Sequence, residues 1–171
     1  MWSRIFTISV TEKLLAAIRE QKPDMILVAG DIPTAKPGKK LDVAVNFLKK
    51  LREDYPVYYA NGNHEHRLKL YPEKYGDMAE RYAEALADMG IEPLVNGHAE
   101  LAELGVVVYG AEIAKQYYKR FGKPQMYEAY LKKTLGAPDR ECYTVLLAHN
   151  PEYFPRYAQW GADLTVSGHV H

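Results

Sequence analysis

One cysteine, Cys142, in 171 residues leaves no partner for an internal disulfide and no thiolate pair with zinc-knuckle spacing. A reducing compartment follows as the default, and with it a cytoplasmic location. The chain also lacks an excess of either charge. Its 22 Lys and Arg balance 22 Asp and Glu, so no overall field draws it to nucleic acid, anionic lipid or acidic polymers. No apolar run reaches the length of a membrane-crossing helix, and residues 1–10, with one arginine and a weak apolar stretch, lack a small-residue cleavage pattern. A soluble, unprocessed chain is therefore expected, with membrane association reserved for an anchor upstream of residue 1. Absent too are internal repeats, low-complexity tracts, linkers and any Gly-x-x-x-x-Gly-Lys-Ser/Thr phosphate loop, which disfavours a P-loop nucleotide-binding protein. What is present is an apolar content of 47%, enough at this length for one core but not two. Residues 1–171 are expected to form one domain.

Ser9-Val10-Thr11-Glu12 reads as a capping box, with a helix from there to about Gln21. Lys22-Pro23-Asp24 breaks it, and Met25 to Ala29 is a continuous apolar run, as in a strand covered on both faces. Leu41, Val45, Leu48 and Leu51 recur at helical spacing and feed a second strand, Pro56 to Ala60. This alternation with short connections predicts parallel βαβ units. Tyr75 to Met89 reads as one helix stopped by Gly90. Pro93 to Val95, the turn Asn96-Gly97, Ala99 to Leu104 and Val106 to Tyr109 read as short antiparallel strands. Lys115 to Gln125 is a surface excursion before a helix over Met126 to Leu135. Tyr143 to Ala148 and Leu164 to Val166 supply the last strands. The predicted fold class is α/β, a sandwich of mixed β-sheets flanked by helices.

Four segments share one design, an apolar strand followed at once by metal-ligand residue types: Gly30-Asp31, Gly62-Asn63-His64-Glu65, Ala148-His149-Asn150 and Gly168-His169-Val170-His171. In α/β sheets the carboxyl ends of strands converge on one edge, where residues far apart in sequence meet. The glycines let the backbone turn sharply there. His169 and His171 are two apart in an extended segment and aim to one side. Carboxylate, amide oxygen and imidazole together suit manganese, iron or zinc. Each piece alone is weak, since a lone histidine is usually structural; the ordered set of four is strong.

That ordered set resembles the calcineurin-like metallophosphoesterase family over nearly the whole chain. Leu146 to Glu152 and Ser167 to His171 resemble its bacterial phosphohydrolase branch, which includes UDP-diacylglucosamine hydrolases. The resemblance implies a hydrolase that cleaves a phosphomonoester or phosphodiester with metal-activated water, acting on a small phosphate ester or a lipid-linked substrate. It implies that Asp31 bridges two divalent metals, manganese first with iron or zinc as alternatives. Asn63, His149 and His169 complete one metal, His171 ligates the other, and His64 is the general acid. His66 and Arg67 are candidates for the substrate phosphate, against the alternative of a solvated loop. Glu65 is expected to orient its loop, and His98 to be idle. Tyr117, Tyr118 and Phe121 either line a substrate or lipid-facing groove or pad the domain's edge. Glu112 lies on the loop side and is not assigned.

The family's first motif, Asp-x-His at the end of an opening strand, has no counterpart here: before Asp31 stand only Asp24, at the wrong end of its strand, and no histidine. Both ends are expected to be cut, which leaves the second metal with Asp31 and His171 alone, so two metals or one are expected. Exposed sheet and helix faces then predict self-association. The rival from another class is a non-catalytic remnant that binds one metal or none and serves as an interaction or structural domain.

Overall fold

A computed structural model describes residues 2–119, 121–122, 124–127 and 129–169, with residues 2–9 described by their backbone alone. The chain begins with helix α1 (Trp2–Gln21) and strand β1 (Ile26–Val28). Helix α2 (Asp42–Asp54) carries it to β2 (Val57–Tyr59), parallel to β1 with Ile26 opposite Val57 and Val28 opposite Tyr59. Three helices follow, α3 (Asn63–Leu70), α4 (Pro72–Tyr75) and α5 (Met78–Asp88). The second sheet holds β3 (Gly97–Leu101), β4 (Val106–Ala111), β5 (Tyr143–Ala148) and β6 (Leu164–Val166) in that spatial order. Its first pair is antiparallel and the others are parallel. Helix α6 (Tyr130–Leu135) precedes β5, and α7 (Phe154–Trp160) precedes β6.

The two-residue period of the strands sorts these elements into layers. In β4, Val107 and Tyr109 face one way, and in β5 so do Leu146 and Ala148; with Leu131, Tyr157 and Trp160 they form the core under α6 and α7. Val108, Val145 and Leu147 face the other way and meet Ala60, Leu27 and Tyr58 in the core between the sheets. Val28 and Tyr59, on the far side of the first sheet, pack with Leu48, Leu68, Tyr82, Leu86 and Ile91 under the helices. The result is helices, sheet, sheet, helices, the mixed α/β sandwich that the alternation of strand and helix predicts. The sheets join at Leu94, whose N–H donates to the Tyr59 carbonyl at 2.7 Å. A Cβ on Gly110 would lie 2.2 Å from the Leu94 carbonyl oxygen, so this approach requires glycine. Among the described residues no helix is long and apolar enough to cross a membrane.

Several boundaries differ from the sequence expectation. Residues 9–12 lie inside α1 rather than at its start, and the Glu12 carboxylate pairs with Lys50 on α2 instead of capping. The predicted helix over Tyr75 to Met89 divides at Gly76, whose φ of 60° and ψ of −136° only glycine adopts readily. Pro93 to Val95 does not open the antiparallel set, because Pro93 bridges to Tyr59 of the other sheet. Met126 is fully buried in the core, and α6 starts at Tyr130. Tyr117 is 1% exposed, so the supposed surface excursion is rooted in the interior.

Candidate metal centre

Two tight turns build the floor of the site. After β1 the chain turns through Gly30 at φ 90° into Asp31 at φ 59°, and after β2 it turns through Gly62 into α3. A Cβ on Gly30 would lie 2.1 Å from Gly62 N, and one on Gly62 would lie 2.3 Å from Asp31 Oδ1. The turns touch backbone to backbone because neither glycine has a side chain. A left-handed aspartate costs on the order of 1 kcal/mol, offset here by local hydrogen bonds. Asp31 N–H donates to Glu65 Oε2 at 3.0 Å, and Asp31 Oδ1 accepts from His64 N–H at 2.8 Å.

Glu65, 3% exposed, ties both turns together. Its carboxylate also accepts from Gly62 N–H at 3.0 Å, from Ile32 N–H at 3.2 Å and from the Tyr59 hydroxyl, which lies 2.9 Å from the Tyr82 hydroxyl. Burial pushes the Glu65 carboxyl above the usual range, against the pull of Tyr59 and the backbone donors.

His149 follows β5 and is 1% exposed. Its Nδ1 is 2.6 Å from the Ala29 carbonyl, which can only accept, so Nδ1 carries the proton and Nε2 is a bare lone pair in the neutral ring. That Nε2 lies 3.0 Å from Asp31 Oδ2 yet is buried without a partner in hydrogen-bond geometry. Burial opposes charge on both groups, but their mutual attraction holds the Asp31 carboxyl below its usual range and the imidazole above. His169, at φ 70°, sets its ring 5.3 Å from that of His149, with Nδ1 2.9 Å from Asn63 Oδ1. Gly168 makes room, since a Cβ there would stand 3.0 Å from the His149 ring.

Donor atoms of Asp31, His149 and His169 lie within 4.8 Å of one another, with the Asn63 amide oxygen beside them. Two acceptors 3.0 Å apart, one of them a buried lone pair without a proton to share, are what a cation satisfies. Two imidazoles, a carboxylate and an amide oxygen fit a divalent transition metal.

His64 stands at the edge. Its Nδ1 accepts from Ala35 N–H at 3.2 Å, so the neutral ring carries its proton on Nε2, 4.0 Å from Asp31 Oδ2. His171 lies outside the described residues. Arg67 is exposed on α3. Beside the site lies a cluster in which Glu112 Oε1 accepts from Asn61 Nδ2 at 2.7 Å and Lys69 Nζ at 2.9 Å; burial raises the Glu112 carboxyl, but Lys69, Asn61 and, more weakly, His66 hold it below its usual range. Tyr118, which the sequence left between lining a groove and padding the domain's edge, has its ring centroid 5.2 Å from that of His169 and 6.2 Å from that of His149. Its segment has no period from which to read a direction. Sequence reasoning missed the Tyr59 and Tyr82 hydroxyls behind Glu65; Tyr59 was legible only as a strand residue.

A family model described as calcineurin-like phosphoesterase matches residues 6–171. Over 170 residues the chain is 28% identical to a transmembrane protein with metallophosphoesterase domain of Danio rerio, covering 95% of this chain and 36% of that protein. It is 26% identical over 162 residues to the uncharacterized metallophosphoesterase Cj0846 of Campylobacter jejuni, covering 94% and 38%. It is 26% identical over 172 residues to the uncharacterized metallophosphoesterase YkuE of Bacillus subtilis, covering 99% and 54%. The chain thus spans roughly a third to a half of the length of these relatives. No solved structure matches it significantly.

Proposed function

The chain belongs to the calcineurin-like phosphoesterase family, and from that premise we propose that its 171 residues form one domain that hydrolyses a phosphomonoester or phosphodiester. Asp31, Asn63, His149 and His169 hold a divalent metal, manganese by preference and iron or zinc otherwise. The observation that carries the reading is the buried, unpartnered Nε2 of His149 at 3.0 Å from Asp31 Oδ2. His171 is proposed as a ligand of a second metal shared through Asp31. The substrate is a small phosphate ester or a lipid-linked one.

When bound, the metal supplies positive charge that offsets the phosphate and activates water. The rest is work for the chain's own groups. The Ala29 carbonyl fixes the His149 tautomer, so that in the neutral ring Nε2 presents its lone pair. The Asn63 amide oxygen and His169 Nδ1 hold each other at 2.9 Å on the facing side. Ala35 N–H fixes the opposite tautomer in His64, whose Nε2–H turns toward the site; His64 is proposed as the general acid, which would give its Nε2 proton to the leaving oxygen from the charged ring, with the Ala35 contact released. His66 and Arg67, one and two positions past Glu65 on α3, are proposed to meet the outer part of the substrate.

Turnover of a chromogenic phosphodiester with added manganese tests this, with metal content measured on the same samples. We expect the chain to turn over and His149→Ala to lose more than about a hundredfold, beyond the effect of supporting residues alone. Among the described residues the donors form one cluster, which favours a second reading, a domain that binds one metal and interacts without catalysis. Retained metal without turnover in folded protein would select that second reading.

A further inference from the structure

One ring lies against both imidazoles of the candidate metal centre. The Tyr118 ring meets that of His169 edge-on, with centroids 5.2 Å apart, and lies 6.2 Å from that of His149. The two imidazoles are themselves 5.3 Å apart, so the three side chains make one aromatic corner beside Asp31, whose Oδ2 is 3.0 Å from His149 Nε2. Tyr118 ends the single 3₁₀ turn Lys115–Tyr118, which is held at both ends. The Lys115 ammonium is 4.5 Å from the centroid of the Tyr71 ring, just past α3. Tyr117, 1% exposed, packs edge-on against Tyr130 and Tyr153 at 5.0 and 5.3 Å. Its carbonyl accepts from Asn150 Nδ2 at 3.0 Å and from the Tyr153 hydroxyl at 3.3 Å. Asn150 directly follows His149, so one dipeptide supplies a metal donor and steadies the backbone that carries Tyr118. Such support is what gives a side chain a fixed place in a site.

The ring is placed by the fold, but its hydroxyl is not used by it. Tyr118 is half-buried, and among the described residues no group hydrogen-bonds its hydroxyl, which is not sealed from solvent in the way that His149 Nε2 is. Other buried tyrosines engage theirs. The Tyr59 and Tyr82 hydroxyls lie 2.9 Å apart, that of Tyr109 accepts from Asp139 N–H at 3.0 Å, and that of Tyr157 donates to the Asn150 carbonyl at 2.6 Å. A phenol carries its proton at neutral pH, so Tyr118 offers a donor at a place where packing alone asks for none.

The metal donors beside it have the opposite character. The Asp31 carboxylate, His149 Nε2 and the Asn63 amide oxygen present lone pairs, which repel the oxygens of an anionic ester. Such an ester gains from a donor that is not committed to the metal, and a hydrogen bond to a charged oxygen is stronger than one to a neutral acceptor. We propose that Tyr118 is a substrate-binding residue, whose hydroxyl donates to a non-bridging phosphoryl oxygen while its ring walls the histidine side of the site. The phosphoryl group is common to monoesters and diesters, so this contact serves either. The proposal deepens the hydrolase reading and rests on it.

Tyr118→Phe is the test, because it removes the oxygen and keeps the ring. The whole chain and the variant are loaded with manganese and compared in metal content, in affinity for inorganic phosphate by titration calorimetry, and in KM and kcat for a chromogenic phosphodiester. The variant is expected to keep the parent's metal content and to bind phosphate about tenfold or more weakly. Its KM should rise by a similar factor while kcat changes by less than about threefold. Equal phosphate affinity and equal KM would overturn the proposal and leave the ring as a wall alone. Metal lost from Tyr118→Phe, or a near-ultraviolet circular dichroism spectrum unlike the parent's, would overturn it as well, by assigning the hydroxyl to metal retention or to the core. A parent chain that holds manganese but neither binds phosphate nor turns over the ester would instead sink the hydrolase reading, and this proposal with it.

Discussion

At Glu65 one buried carboxylate answers three backbone N–H groups, from Asp31, Ile32 and Gly62, and the hydroxyl of Tyr59. None of these contacts is to a metal donor's side chain, yet they set where Asp31 and α3 stand. Glutamine at this position keeps the shape but turns one acceptor oxygen into a donor, which then faces an N–H or O–H. An orphaned buried donor costs about 1–3 kcal/mol, so Glu65→Gln should lower unfolding free energy by about 2 kcal/mol or more. It should also weaken metal retention, because the turn that presents Asp31 loosens. Urea unfolding at constant slope, with metal content read in parallel, checks this; an unmoved midpoint would show that the carboxylate's second oxygen is dispensable. The Gly-Asn-His-Glu string was legible in the sequence as a site. The direction of each side chain in it was not, since the hydrogen bonds that aim Glu65 come from residues three to thirty-four positions away.

Three strands were the most legible elements because both of their faces are covered, which leaves apolar runs at Ile26–Val28, Val57–Tyr59 and, past Thr144, residues 145–148. Helix α3 was illegible for the opposite reason. Its buried positions are Asn63, Glu65 and Leu68, so polar residues serving the site occupy the stripe that normally betrays a helix. The division between α4 and α5 hid behind a continuous periodicity. Tyr75, Met78, Tyr82 and Leu86 are all buried, but Gly76 turns the chain between the first two. A Cβ there would touch nothing within 4 Å, so the cost of a side chain is purely one of backbone conformation. Gly76→Ala should therefore destabilise by about 1–3 kcal/mol, with metal content unchanged because the break is remote from the cluster. A thermal midpoint equal to that of the parent chain would mean that α4 and α5 merge into one helix without loss, as the sequence periodicity alone suggests.

Across the whole molecule, tyrosine is the residue that ties the layers together, with 14 in 171 residues. Tyr59 and Tyr82 lie between the first sheet and its helices, Tyr130 and Tyr157 between the second sheet and α6 and α7, and Tyr118 against the histidines. Burial is the first cause that raises the pKa of all five above the ordinary tyrosine value, with nearby carboxylates and phenols contributing. The sign of the linkage follows. A phenol whose folded pKa exceeds its unfolded one keeps its proton in the native state after the unfolded chain has released it. Stability is then fully present below pH about 10 and is lost as pH rises beyond it. Because the five sit in every layer, the loss is shared by the whole fold rather than confined to one edge. Titrating tyrosinate absorbance should show these five ionising only with the collapse of near-ultraviolet circular dichroism. In denaturant that delayed, unfolding-linked phase should disappear. A single reversible transition of all fourteen in folded protein would show that the layers open to hydroxide without unfolding.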